Sequence, residues 1–134
     1  MRKVAGLLSL LWVLCGSLSA QVSYSSAITN LVKVTYNASS TATVVVASNL
    51  QSYVTATVSG GAVSIVQNST VGAATCGEII YLLGGSSANG SFYMEGSYKA
   101  TIELDNLTLT NPQGPAFNIQ NGKRIELKSV EGTV

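Results

Sequence analysis

Three acidic residues in the C-terminal half are the side chains whose spacing could support chemistry. Glu103 and Glu126 each occupy the centre of an Ile-Glu-Leu tripeptide, and Asp105 follows Glu103 by two positions. On neighbouring strands these carboxylates would lie close together, and Ca²⁺ takes carboxylate oxygens as ligands. The alternative is a solvated row of charges on an exposed strand, with Lys99 and Lys123 nearby.

The repeated tripeptide also predicts the elements that carry these carboxylates. Its copies begin at Ile102 and Ile125, and one further step back by the same interval reaches Ile79. A fixed period in the twenties, here about 23 residues, is typical of chains that stack one small unit on the next. We expect strands stacked about 4.8 Å apart. One interior row would contain Ile79, Ile102 and Ile125, and a second would contain Tyr81, Leu104 and Leu127. The predicted fold is all-β, with parallel β-helix coils of about 23 residues.

Composition supports an all-β fold and divides the chain into three regions. The 134 residues are only 10% charged and contain no His, and β-branched residues with Gly and Ser favour strands and turns. Residues 21–77 read as strands and hairpins, one turning after Tyr36 and another at Gly60-Gly61. The β-helix is expected over residues 78–134.

Residues 1–20 have the pattern of a secretory signal peptide. A basic start, an apolar run over residues 4–14 and small residues before Ala20 follow one another in that order. Lipidation at Cys15 is the competing interpretation, but Trp12-Val13-Leu14 lacks the small residue expected before a lipidated Cys. We therefore expect an exported protein, secreted or at the cell surface, without lipid anchoring and with no transmembrane segment in the mature chain.

Charge argues against nucleic acid as a partner. Without residues 1–20 the chain keeps five basic and six acidic side chains, and the basic ones form no patch that could meet phosphates. The same cut leaves Cys76 as the sole cysteine, so that no intrachain disulfide can form.

Aromatic and amide side chains are the candidates for binding sugar. Tyr93 and Tyr98 are predicted to point outward beside Glu95 and Lys99, where they could flank a sugar ring. Three further candidates, which are expected to line the corners, are Asn106, Asn111 and Asn118. The alternative for the Asn residues is a structural role, because Asn is common in turns.

Residues 90–132 resemble a bacterial family of secreted carbohydrate-binding β-helix proteins. The resemblance lies in the corner Leu107-Thr108-Leu109-Thr110-Asn111, followed by Gly114-Pro115-Ala116-Phe117 and by Gly122-Lys123. It implies a right-handed parallel β-helix with pectate-lyase-like architecture that binds plant cell-wall polysaccharide. Binding would require no cofactor, although the resemblance implies that Ca²⁺ can be present.

Members of that family continue for further coils beyond the point that matches residues 131–134, so this chain resembles an N-terminal fragment. An uncapped β-helix end exposes backbone hydrogen-bonding groups and predicts end-to-end association.

These observations predict non-catalytic binding of polysaccharide by an exported bacterial protein. One alternative is a structural or adhesive surface module. Another is a truncated calcium-dependent polysaccharide lyase, which the lack of an Asp-rich cluster disfavours.

Overall fold

The computed structural model describes residues 21–38, 40–68 and 77–130. The predicted signal peptide, including Cys15, and Cys76 lie outside these ranges. The described residues form a 3-10 helix, Ser48–Leu50, and ten strands. The strands are β1 (Val22–Ser25), β2 (Leu31–Asn37), β3 (Thr41–Ala47), β4 (Val54–Ser59), β5 (Ala62–Gln67), β6 (Ile79–Ser87), β7 (Ser91–Gly96), β8 (Ala100–Leu109), β9 (Phe117–Asn121) and β10 (Ile125–Ser129).

The strands form a β-solenoid built from two sheets, which confirms the predicted parallel β-helix. Sheet A has the order β1-β3-β2-β6-β8-β10, and sheet B has the order β4-β5-β7-β9. From β6 onward the chain alternates between the sheets, and each strand pairs in parallel with its equivalent in the previous coil. Each coil buries its inward side chains on the next, as the repeat predicted.

Two antiparallel hairpins precede the coils, as the sequence predicted. β2 pairs with β3 in sheet A, and β4 pairs with β5 in sheet B. The second hairpin turns at Gly60, whose φ of +59° suits glycine. The hairpins continue directly into the coils, because β2 pairs with β6 and β5 pairs with β7.

The register of the coils differs from the predicted constant period of 23. Ile79 pairs with Ala100, which is a 21-residue return, and Ala100 pairs with Ile125, which is a 25-residue return. The two coils therefore average the predicted spacing without sharing it. Because each return differs from 23 by an even number, the alternation of inward and outward side chains survives.

The two predicted interior rows contain the wrong residues, because the returns of 21 and 25 residues shift the strands relative to the predicted register. The observed rows are Ile79–Ala100–Ile125, Tyr81–Ile102–Leu127 and Leu83–Leu104–Ser129. The interval from Phe92 to Ala100 equals that from Phe117 to Ile125, so the corner between sheet B and sheet A has constant length. Most of the extra residues of the second coil lie between β8 and β9, and one lies in the irregularity where β8 pairs with β6.

One hydrophobic core runs through hairpins and coils alike. Its largest fully buried side chains include Tyr81 and Phe92 from the coils, Ile65 from β5 and Leu50 from the 3-10 helix. Burying each such side chain stabilises the fold by about 1.5–3 kcal/mol before the entropy cost of ordering it. The boundary near residue 78 is therefore not a break in the core. Among the described residues, no helix is long and apolar enough to cross a membrane.

Candidate functional site

The outer face of sheet B brings together polar side chains from three parallel strands. On β7, Tyr93 and Glu95 alternate with the buried Phe92 and Met94, as predicted. The register places Tyr93 between Ser64 of β5 and Asn118 of β9. The second row runs from Val66 through Glu95 to Gln120. We call the four polar residues Tyr93, Glu95, Asn118 and Gln120 the sheet B cluster.

Two side chains of the sheet B cluster are joined along β7. The Tyr93 hydroxyl donates a hydrogen bond of 2.7 Å to Oε2 of Glu95. This hydrogen bond, with smaller contributions from desolvation and the Glu95 charge, raises the pKa of the Tyr93 phenol. The phenol proton is directed at the carboxylate, so Oε1 of Glu95 and the phenol oxygen remain as acceptors that face solvent.

The other two side chains of the sheet B cluster, Asn118 and Gln120, are joined by a hydrogen bond along β9. Nε2 of Gln120 donates a hydrogen bond of 2.7 Å to Oδ1 of Asn118. The Asn118 amide therefore offers N–H donors beside the ring of Tyr93, since adjacent strands lie about 4.8 Å apart. Sequence reasoning identified Asn118 but missed Gln120. The period-2 alternation of β9, with Ile119 facing the interior, could have found it.

Tyr98 was predicted to point outward beside Tyr93, and this prediction is wrong. Tyr98 packs against the hydrophobic core from the corner between β7 and β8. Its backbone N–H donates to Oε1 of the buried Gln67 at 3.1 Å, and its carbonyl accepts from Nδ2 of Asn121 at 2.9 Å. Alternation would have favoured the inward side, because Tyr98 lies an odd number of positions after the outward Tyr93 and two positions before the buried Ala100. Lys99 follows in the same corner and is exposed, away from the outward rows of β7.

Asn106 lies within β8 and Asn111 lies in the connection between β8 and β9, and both have a structural role there. Asn106 has a φ of +50° inside β8, at the point where the pairing with β6 shifts register opposite Gly85. The sequence predicted that Asp105-Asn106 bends the chain between two strands, whereas β8 continues as one strand from Ala100 to Leu109, with a register shift at this point. The side chain of Asn111 accepts from the Gln113 N–H at 3.1 Å and donates to the Pro115 carbonyl at 2.9 Å, which closes the corner before β9.

The predicted stack of Glu103 on Glu126 is not formed. Glu103 pairs with Leu82 and Lys128, whereas Glu126 pairs with Thr101. The 25-residue return from β8 to β10 moves Glu126 two positions away from the predicted register, and Lys128 lies opposite Glu103 instead. Asp105 is the next outward residue after Glu103, as predicted, and pairs with Gly84.

These carboxylates do not fit a shared Ca²⁺ site. Nζ of Lys128 lies 3.5 Å from Oε1 of Glu126, so a cation already occupies the neighbourhood of these carboxylates. Across residues 21–38, 40–68 and 77–130, no three His, Cys, Asp or Glu side chains are grouped to hold a metal ion. Calcium binding stays a prediction that depends on the family resemblance, without Glu103, Asp105 and Glu126 as a ligand set.

The outer face of sheet A has a depression that sequence reasoning did not predict. Its volume is about 200 Å³, and it is lined by Lys33, Val34, Thr35, Leu82, Gly84, Gly85 and Asp105. Gly84 and Gly85 create it because they place no side chain above the sheet. Lys33 and Asp105 supply opposite charges at its rim.

Comparison with known proteins leaves the family of the chain open. No family model matches the chain, nor does any curated protein or any solved structure. The resemblance to carbohydrate-binding β-helix proteins therefore stays an interpretation of the motifs.

Proposed function

We propose that this protein is exported by a bacterium and binds polysaccharide of the plant cell-wall type without catalysing a reaction on it. The binding surface is the sheet B cluster. The observation that supports this most directly is the register of Tyr93 beside Asn118 and of Glu95 beside Gln120. That register brings an aromatic ring, a carboxylate and two amides onto one solvent-facing surface.

The chemistry of the sheet B cluster suits a sugar ring. A pyranose has an apolar face of C–H groups and an edge of hydroxyls, each of which can donate and accept. The Tyr93 ring supplies an apolar face. The Glu95 carboxylate accepts from hydroxyl donors, and a hydrogen bond to a charged acceptor is stronger than one between neutral groups. The Asn118 amide donates to hydroxyl oxygens.

The direction of the rows suits a long ligand. Both outward rows cross β5, β7 and β9, so they run along the solenoid axis rather than along a strand. A chain of sugars lying on this axis would meet equivalent positions of successive coils, which is how repeat proteins use their extended faces. Ser64 and Val66 extend the surface onto the hairpin region.

Retention on insoluble plant cell-wall polysaccharide tests this proposal. The purified protein is mixed with the polysaccharide, and the fraction remaining in solution is measured over a concentration series. We expect retention, and we expect Tyr93→Ala to weaken it about tenfold. A tenfold change in affinity corresponds to about 1.4 kcal/mol, which is within the roughly 0.5–1.5 kcal/mol that an aromatic contact contributes in addition to the area it buries.

The matched control is Tyr24→Ala. Tyr24 is 47% exposed on β1 of sheet A, away from the sheet B cluster, and its loss should leave retention unchanged. Equal retention of Tyr93→Ala and the unchanged protein would contradict the proposed surface. No retention on any polysaccharide would contradict the proposed function.

Two further measurements separate the alternatives. A polysaccharide lyase would generate unsaturated uronate from pectate and calcium, which is followed by its ultraviolet absorbance, and we expect no such product. A structural or adhesive module would neither form this product nor be retained. Repeating the retention assay with a chelator tests whether calcium contributes to binding.

A further inference from the structure

The depression on the outer face of sheet A lies in the middle of that sheet, and we call it the sheet A depression. The strands that line it are β2, β6 and β8, and each of them is paired with a neighbouring strand on both sides. Its walls are therefore complete within the described chain. Its volume of about 200 Å³ leaves room for several water molecules, so a small organic molecule can enter it.

A glycine forms the floor of the sheet A depression. Thr35, Gly84 and Asp105 lie side by side on β2, β6 and β8, so the space between Thr35 and Asp105 is where a side chain of residue 84 would stand. A Cβ at Gly84 would lie 3.0 Å from the Asp105 carbonyl oxygen. Leu82, the next outward residue on β6, closes one side with an apolar wall. The depression thus combines an apolar wall with a polar rim, as small-molecule sites do.

The two charged side chains of the rim face each other across the depression. Lys33 is on β2 and Asp105 is on β8, and both are exposed. With β6 between them, their backbones are about 10 Å apart across the sheet. Neither forms an ion pair with another described residue, whereas Lys128 pairs with Glu126. Glu103, the next outward carboxylate on β8, lies opposite Lys128. The depression therefore presents one ammonium group and one carboxylate that have no charged partner in the described part of the chain.

We propose that the sheet A depression binds a small zwitterion, an α-amino acid or a dipeptide. The ligand carboxylate contacts the Lys33 ammonium group, and the ligand ammonium group contacts the Asp105 carboxylate. A ligand with one charge would satisfy only one of these side chains. The Thr35 hydroxyl, on the same rim, can donate and accept a hydrogen bond. The site is on the other sheet from the sheet B cluster, so it does not depend on the proposed polysaccharide binding.

Nuclear magnetic resonance titration of the full ¹⁵N-labelled chain with diglycine tests the proposal. We expect saturable shifts of the backbone amide signals of Lys33, Gly84, Gly85 and Asp105. Two analogues each lack one charge: N-acetyl-diglycine has no ammonium group, and diglycinamide has no carboxylate. Each should bind about fivefold more weakly than diglycine, which is the size expected for one solvent-exposed charge pair.

Two variants assign each ligand charge to its side chain. Lys33→Gln should weaken diglycine binding about fivefold without weakening diglycinamide, because diglycinamide has no carboxylate to lose. Asp105→Asn should weaken diglycine to the same extent without weakening N-acetyl-diglycine. Lys123→Gln and Glu126→Gln, at exposed positions outside the depression, are the matched controls and should leave diglycine binding unchanged. Circular dichroism melting checks that every variant is folded.

A third variant tests the shape of the site. Gly84→Ala places a methyl group on the floor of the depression while keeping both charges, so it should also weaken diglycine binding. Lys33→Gln should leave retention on polysaccharide unchanged, which separates this site from the sheet B cluster.

Three results would overturn the proposal. They are the absence of shifts at the four amides, equal binding of diglycine and its two analogues, and diglycine binding that is insensitive to Lys33→Gln or to Asp105→Asn.

Discussion

Tyr93 donates its hydroxyl proton to Oε2 of Glu95, two residues further along β7 and on the same outward side of the strand, at 2.7 Å. The two side chains belong to one row along the strand, so neither depends on a loop for its position. The hydrogen bond orders the phenol on the sheet surface before any ligand arrives, which reduces the entropy lost on binding.

The ionisation of Tyr93 is the first prediction. Its phenol pKa should lie above the ordinary value of 10.0, chiefly because the neutral phenol donates to Glu95. Any stabilisation from this hydrogen bond is therefore fully present below pH 10 and is lost as the pH rises through the raised pKa. Ultraviolet titration of tyrosinate in the unchanged chain and in Glu95→Gln measures the pKa of Tyr93. Glu95→Gln should lower this pKa towards 10.0, whereas Glu103→Gln, on sheet A, should not change it.

The second prediction concerns the buried Gln67. Its Nε2 donates to the Tyr81 hydroxyl at 3.0 Å, and its Oε1 accepts from the Tyr98 N–H at 3.1 Å. Gln67→Ala should lower the free energy of unfolding by about 2–4 kcal/mol, because it removes these hydrogen bonds and leaves a cavity. Gln120→Ala, at an exposed site, should change it by less than about 0.5 kcal/mol. Urea denaturation of both variants makes the comparison, and equal effects would contradict the proposed role of Gln67.

A third prediction compares two glycines. Gly85 has a φ of +88°, and a Cβ there would collide with the Tyr36 backbone of the neighbouring strand β2. Gly85→Ala should destabilise the fold by about 3 kcal/mol or more, since conformational strain and the clash add. A Cβ at Gly122 meets nothing within 4 Å, so Gly122→Ala should be close to neutral. Thermal unfolding of the two variants should separate them clearly. Similar melting temperatures would contradict the tight approach at Gly85.

The fourth prediction tests a hydrogen bond across the interior. The buried Tyr36 of β2 donates its hydroxyl proton to the Ser91 carbonyl of β7 at 2.7 Å, which links sheet A to sheet B. Tyr36→Phe should cost about 1 kcal/mol in the free energy of unfolding, the typical net value of such a bond. Tyr24→Phe is the matched control at an exposed site. If Tyr36→Phe left the free energy of unfolding unchanged, the hydrogen bond would make no net contribution to stability.

The sequence predicted the architecture well, because hydrophobic alternation and turn residues act locally. The hairpin at Gly60-Gly61 and the strand with Phe92 and Met94 inward both depend on neighbouring residues in the chain. These patterns predicted the elements and which face of each would be buried. They also placed Tyr93 outward beside Glu95. Asn118 was expected to line a corner, whereas it lies on β9 opposite Tyr93.

Register and corners could not be predicted from the same patterns. Both the 21-residue coil and the 25-residue coil preserve inward and outward alternation, so the Ile-Glu-Leu repeat cannot distinguish them from two coils of 23. That ambiguity put Glu126 beside Glu103, where the structure has Lys128. Tyr98 was misplaced for a different reason. Its spacing from the inward Ala100 favoured the inward side, where its backbone is also held by Gln67 and Asn121.

The unequal coils have a consequence for how this chain can change in length. Removing two residues from the β8–β9 connection would shorten a loop and leave every later side chain on its present side. Removing one residue from within a strand would turn the remainder of that strand inside out, unless an irregularity such as the one between Gly84 and Ser86 absorbed the difference. Insertions and deletions should therefore be tolerated at the β8–β9 corner and rejected within the connection from sheet B back to sheet A, whose length is the same in both coils.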